Sequence, residues 1–195
     1  MKTLDASLAL LLAALCAGCA PHFGLTMKVP PIPQAEHVES GGADAAALQV
    51  KVGTFEDARA SQTIAEVDNR EIPSSGSAGA EVQEGFERYF KDVGVRLVRR
   101  DAPILEGEIT EWSSQVLPGF PSSDAEAKAR IRVTLKDSEY HVLYRGVFSG
   151  EATVSHPLLD EDHVRELLGQ AMAAAIEAAV TDEMLRSQLS RGRIE

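Results

Sequence analysis

The chain has 195 residues, with 19 lysines and arginines against 30 acidic residues and a formal charge of −11. That balance excludes a general nucleic-acid or anionic-membrane surface, which needs a basic face to meet phosphates. At 44% hydrophobic and 25% charged the composition is globular, and two cysteines three positions apart, Cys16 and Cys19, exclude a disulfide-stapled scaffold.

Lys2 opens a short basic start, and the apolar run 8–15 is too brief for a membrane span. It fits a signal-peptide core over residues 1–18. Leu15-Cys16-Ala17-Gly18-Cys19 resembles a bacterial lipobox, with Cys16 where leucine is usual. The resemblance implies cleavage before Cys19, lipidation of its thiol and palmitate-type acyl chains as the anchor. Several acyl chains give stable membrane attachment. Ala20 is not the aspartate that retains enteric lipoproteins in the inner membrane, so the implied address is the outer membrane, facing the periplasm.

Residues 19–46 carry Pro21, Pro30, Pro31 and Pro33, then Ser40-Gly41-Gly42, and are expected to form a flexible tether. About 25 flexible residues span roughly 25–30 Å, enough to hold the domain clear of the lipid. The alternative is that Phe23-Gly24-Leu25 and Val29 lie along the domain.

A single domain is expected over 47–195. Leu48, Val50 and Val52 alternate with polar residues as in a half-buried strand, and a polar loop follows from Glu56 to Ser77. Val82, Phe86, Tyr89, Phe90 and Val93 share one face of a helix over 78–92, which Gly94 ends. Short strands are expected at 95–98 and 104–112. Over 125–136, Ala127, Ala129, Ile131, Val133 and Leu135 alternate with a cationic set including Lys128, Arg130 and Arg132. Asp137-Ser138 turns the chain into a strand over 140–154, giving a long hairpin with one solvated side. A helix over 161–189 starts at an Asp160 cap, stapled by Leu159 and Val164. The predicted fold is α+β, order β-α-β-β-β-β-α, with an antiparallel or mixed sheet and two helices on one face.

Asp57-Ala58-Arg59 after the first strand, the helix ending in Gly94-Val95, Tyr144, and Val180-Thr181-Asp182 with Met184-Leu185 together resemble the YajG-type bacterial lipoprotein family. The resemblance implies a periplasmic domain without a settled biochemical activity. Families of similar topology include lipoproteins that activate cell-wall synthases and others that assemble into secretion rings.

Motifs for chemistry are sparse. His156 and His163 bracket Asp160-Glu161-Asp162, but helix capping explains those acids better than a metal site does. The 74–79 segment precedes a helix without the Lys-Ser/Thr ending of a P-loop. No G-x-S-x-G or S-x-x-K occurs. No catalysis, metal or cofactor is expected. Asp57 and Arg59 are expected to form an ion pair pinning the loop after the first strand, with ligand recognition as the alternative. Trp112, Leu117 and Phe120 form the best contact for a protein partner, against a plainer reading in which Trp112 packs under its loop. Arg130 and Arg132 suggest a docking stripe or a self-association surface, against a merely solvated face. The expected role is binding or assembly in the envelope, with a homo-oligomeric envelope or secretion subunit, or a cell-wall enzyme activator, as alternatives.

Overall fold

A computed structural model describes residues 23–34 and 48–191. The expected signal peptide, residues 19–22 and 35–46 of the expected tether, and residue 47 lie outside the described residues. The fold is α+β, with three helices against an eight-stranded mixed sheet among the described residues. The strands are β1 (Met27–Lys28), β2 (Gln49–Asp57), β3 (Thr63–Val67), β4 (Arg70–Ser75), β5 (Arg96–Leu97), β6 (Ile104–Leu117), β7 (Ser123–Lys136) and β8 (Val142–His156). The helices are α1 (Ala78–Asp92), α2 (Glu161–Thr181) and α3 (Glu183–Arg191).

The long strand β6 organises the sheet. One of its edges pairs antiparallel with β7, which pairs antiparallel with β8. Its other edge is divided between two parallel neighbours. Lys51–Asp57 of β2 run beside Ile104–Ile109, and Ala65–Val67 of β3 run beside Ser114–Val116. β4 and β1 continue outward from β3, while β5 borders β2.

Three expectations need correction. The 56–77 stretch is no simple loop. It contains the β3–β4 hairpin, whose Asp68 and Asn69 both adopt positive φ, of 50° and 60°. Those angles are the hairpin-turn geometry that Asp and Asn tolerate best. Ile64, Ala65, Val67 and Ile72 go into the core, so the polar composition hid a short amphipathic pair. The expected element order therefore lacks β1 and this hairpin.

The second correction concerns the tether. Met27, Val29 and Ile32 are buried, and β1 pairs with Ser74 and Ser75 of β4. Beyond β1 the strap runs between the helices. A β-carbon on Gly169 of α2 would come within 2.7 Å of the Pro31 carbonyl oxygen, and one on Gly85 of α1 within 2.9 Å of Ile32. The two glycines make room for the strap. Residues 23–34 are thus part of the domain.

The third concerns the helices. The expected 161–189 helix is two, because Asp182 leaves helical geometry at ψ 121° and its carboxylate accepts from the Leu185 amide at 2.7 Å. Asp182 caps α3 instead of extending α2. The three helices do not share one packing position: α1 lies against β2, α2 against β7 and β8, and α3 turns back beside β8 and β2.

Local signals elsewhere are satisfied as the residues dictate. The Ser77 hydroxyl accepts from the Ala80 amide at 3.3 Å to start α1. Gly94, at φ 84°, ends that helix with its amide on the Lys91 carbonyl and the Val95 amide on Phe90, a Schellman closure. Asp160 accepts from the His163 amide at 3.0 Å, while Leu159 and Val164 are buried as a staple. On β7, Ala125, Ala127, Ala129, Ile131, Val133 and Leu135 are all buried. The alanines of α2 let it approach so closely that a β-carbon on Gly150 of β8 would overlap the Ala171 carbonyl oxygen.

Candidate functional site

Where β6 passes from β2 to β3, four residues, 110–113, have no strand beside them on that edge. Backbone polar groups left there need partners. The chain supplies them from the connection between β2 and β3. The Ala58 amide donates to the Ile109 carbonyl at 3.0 Å, and Arg59 Nη1 donates to the Trp112 carbonyl at 3.0 Å. Arg59 is held by a two-point contact, Nε to Asp57 Oδ1 and Nη2 to Asp57 Oδ2, both 2.7 Å, and Nη2 also reaches Ser74 Oγ at 3.2 Å. The Arg59 side chain is only 3% exposed. The guanidinium beside it holds the Asp57 carboxyl below the usual carboxylate range, mainly through their hydrogen bond.

The Asp57–Arg59 ion pair therefore forms, and it closes the fork in the sheet. A cleft of about 350 Å³ opens beside it on the solvated face, lined by Ser61, Thr63, Glu66, Ser113, Gln115 and Lys128 among others. Arg59 borders this cleft, but its nitrogens are already engaged within the chain.

Trp112 is not a surface anchor. It is fully buried, and its Nε1 donates to the Leu168 carbonyl of α2 at 3.0 Å. The sequence reading of it as a partner contact is corrected: its face of β6 points at the helices. Leu117 and Phe120, from the same expected cluster, do reach solvent, Phe120 completely.

Arg130 and Arg132 lie on the open face, as the alternation on β7 required. They face glutamates of β6: Arg130 meets Glu111 at 3.4 Å and Arg132 meets Glu108 at 2.5 Å. Lys136 pairs with Glu106 in the same ladder. Cross-strand pairing turns the cationic stripe into a row of neutral pairs, which the sequence of β7 alone could not disclose.

Two further relationships were not read from the sequence. β8 borders β7 on one side, and on the other no strand pairs with it among the described residues. Tyr144, on β8, is pushed up to about 12 by burial and by the adjacent Asp182 carboxylate, so two separate motif residues meet at the break between α2 and α3. The His156 and His163 rings lie 4.5 Å apart, with His163 Nδ1 2.6 Å from Asp160 and His156 Nδ1 2.9 Å from the Leu158 carbonyl. These contacts join the end of β8 to the start of α2. Among the described residues no helix is long and apolar enough to cross a membrane.

No protein-family model matches the chain, and no curated protein matches it in sequence. Among solved structures, protein XCC0632 from Xanthomonas campestris, of family DUF330, superposes with a TM-score of 0.55 at 16% identity, covering 82% of this chain and 95% of that one. The fold is shared. A minor lipoprotein from Acinetobacter baumannii is similar at TM-score 0.40 and 9% identity, covering 74% of this chain and 92% of its own. Lipoprotein GNA1162 from Neisseria meningitidis is similar at TM-score 0.31 and 11% identity, covering 62% and 92% respectively. Only the first is near enough in shape to bear on the fold.

Proposed function

We propose that this chain is a bacterial envelope lipoprotein, held at the outer membrane through a lipidated Cys19. Its periplasmic domain works without catalysis, by pairing a strand of a protein partner with the edge of β8. The lipobox-like Leu15–Cys19 segment supports the anchor. The YajG-type motifs support a lipoprotein and add no biochemical role.

The observation that carries the binding role is the open edge of β8, fifteen residues long. Such an edge offers a full row of amides and carbonyls to an extended segment. The competing surfaces are less available. Arg59 is committed to Asp57, Trp112 and Ser74, and Arg130 and Arg132 are paired.

A second copy is the second reading, because the edge is partly self-complementary. Antiparallel pairing of two β8 strands centred on Phe148 sets Arg145 opposite Glu151 of the other copy in both directions. A photo-crosslinking residue at Val147, which is exposed on β8, tests the edge in intact cells. An adduct with another chain is expected, and its mass separates a different protein from a dimer. No adduct, with labelled fatty acid still entering through Cys19, would remove the pairing role and leave the anchor.

A further inference from the structure

Three connections meet at one end of the molecule. β6 ends there at Leu117, β7 starts there, and β8 ends opposite it, with Ser123 registered against His156. Ser155 and Ser122 join the two loops through their hydroxyls at 3.1 Å. The strap enters at the same end. The Gly24 amide donates to Glu161 Oε2 at 3.2 Å at the start of α2, and Arg70 Nη2 donates to the Phe23 carbonyl at 3.1 Å.

This pole is apolar out of proportion to the rest of the surface. Leu25 is 88% exposed, Leu117 59%, Phe120 99% and Leu158 63%. They are four of the eight exposed large hydrophobic residues in the described structure. Each belongs to an uncharged stretch: Phe23-Gly24-Leu25-Thr26-Met27, Leu117-Pro118-Gly119-Phe120-Pro121-Ser122-Ser123, and Pro157-Leu158-Leu159. Exposed apolar side chains gathered on one tip mark a contact surface. Charged residues, mostly acidic, flank these stretches in the chain: Lys28 after the first, Asp124 after the second, and Asp160, Glu161 and Asp162 after the third, with Asp68 and Arg70 at the β3–β4 turn.

The position of the chain entry says what the surface meets. Cys19 precedes Phe23 by four residues, and four fully extended residues reach at most about 14 Å. Phe23 is fixed to Arg70 at this pole, so an acyl group on Cys19 cannot let the domain drift away from the bilayer.

We infer that the pole carrying Leu25, Leu117, Phe120 and Leu158 sits on the phospholipid surface and inserts these side chains below the headgroups. This rests on the lipoprotein reading above. The acidic rim selects a zwitterionic surface, since anionic headgroups would repel it. Seating also bears on β8. A symmetric antiparallel β8 pair would point the two poles in opposite directions, so two copies in one membrane cannot both be seated in that arrangement. The β8 edge is then left to a different chain.

The test uses the full, processed chain in phosphatidylcholine vesicles containing spin-labelled phosphatidylcholine. Phe120→Cys and Leu158→Cys each carry a bimane label, and Tyr140→Cys, in the β7–β8 turn at the far end, serves as the control. All three positions are exposed. Loss of most bimane emission at 120 and 158, with little loss at 140, is expected. Equal, weak quenching at all three positions, in protein whose Cys19 is acylated by mass, would overturn the seating and leave the anchor intact. Labelling of the unsubstituted chain at a free Cys19 would remove the anchor, and the seating with it.

Discussion

The Arg59 guanidinium donates to the Trp112 carbonyl, 53 positions away, at the point where β6 exchanges one neighbouring strand for another. One buried side chain thereby satisfies a backbone carbonyl that the sheet leaves unpaired. The same guanidinium is neutralised by Asp57 two residues before it. Removing only one partner of such a pair is costly, because the other is left without compensation. Asp57→Asn is expected to lower stability by about 3 kcal/mol in urea unfolding. The double change Asp57→Asn with Arg59→Met should cost less than the sum of its parts. Additive losses would show that the two residues act independently.

The same pair sets an acid limit. Asp57 is held below its ordinary value of 3.8 by Arg59, so the folded state binds that proton more weakly than the unfolded chain. Its stabilisation is complete well above pH 3.8, fades as the pH falls below that value, and is gone below the folded-state pKa. The gap in urea stability between the wild type and Asp57→Asn should be constant from pH 7 to 5 and shrink toward pH 3. A gap that widens on acidification would contradict this account.

Trp112→Phe separates the indole hydrogen bond from most of the ring's packing. Loss of the Nε1 donor leaves the Leu168 carbonyl short of one partner, at a cost of about 1–3 kcal/mol. The far-UV circular dichroism spectrum should stay native and the urea midpoint fall. An unchanged midpoint would show that the bond to α2 carries no stability.

The strap is expected to be structural. Ile32 is buried between α1 and α2, and Ile32→Ala should cost about 2–5 kcal/mol. Leu25→Ala, a few residues earlier and exposed, should leave thermal unfolding essentially unchanged. Equal effects from the two would mean that the strap does not lock into the helix layer.

Gly150→Val probes the approach of α2 to β8. Any β-carbon there meets the Ala171 backbone, so α2 would have to lift away from the sheet. Reduced near-UV circular dichroism and a large fall in melting temperature are expected. Ala174→Gly, on the same helix, provides a small-cavity control and should have a much milder effect.

Periodicity in the sequence determined α1, β7, β8 and the start of α2, because each carries its own apolar face, and the helices have local caps as well, Ser77 and Gly94 for α1 and Asp160 for α2. The lipobox-like cysteine, likewise local, determined the expected address. Tertiary structure decided the rest. Trp112 closes the strand that the sequence suggests over 104–112, but β6 runs on to Leu117, and the indole turns inward onto the Leu168 carbonyl 56 residues away. The β7 cations are a stripe until Glu108 and Glu111 of β6 come opposite them. Met27, Val29 and Ile32 are too few and too interrupted by proline to form a periodic element, so their burial depends on the space left by Gly85 and Gly169. The same docking brings Phe23 to the pole with Leu117, Phe120 and Leu158. The −11 charge belongs to composition, but which apolar side chains stand exposed, and how near Phe23 they stand, depends on contacts between residues far apart in the chain.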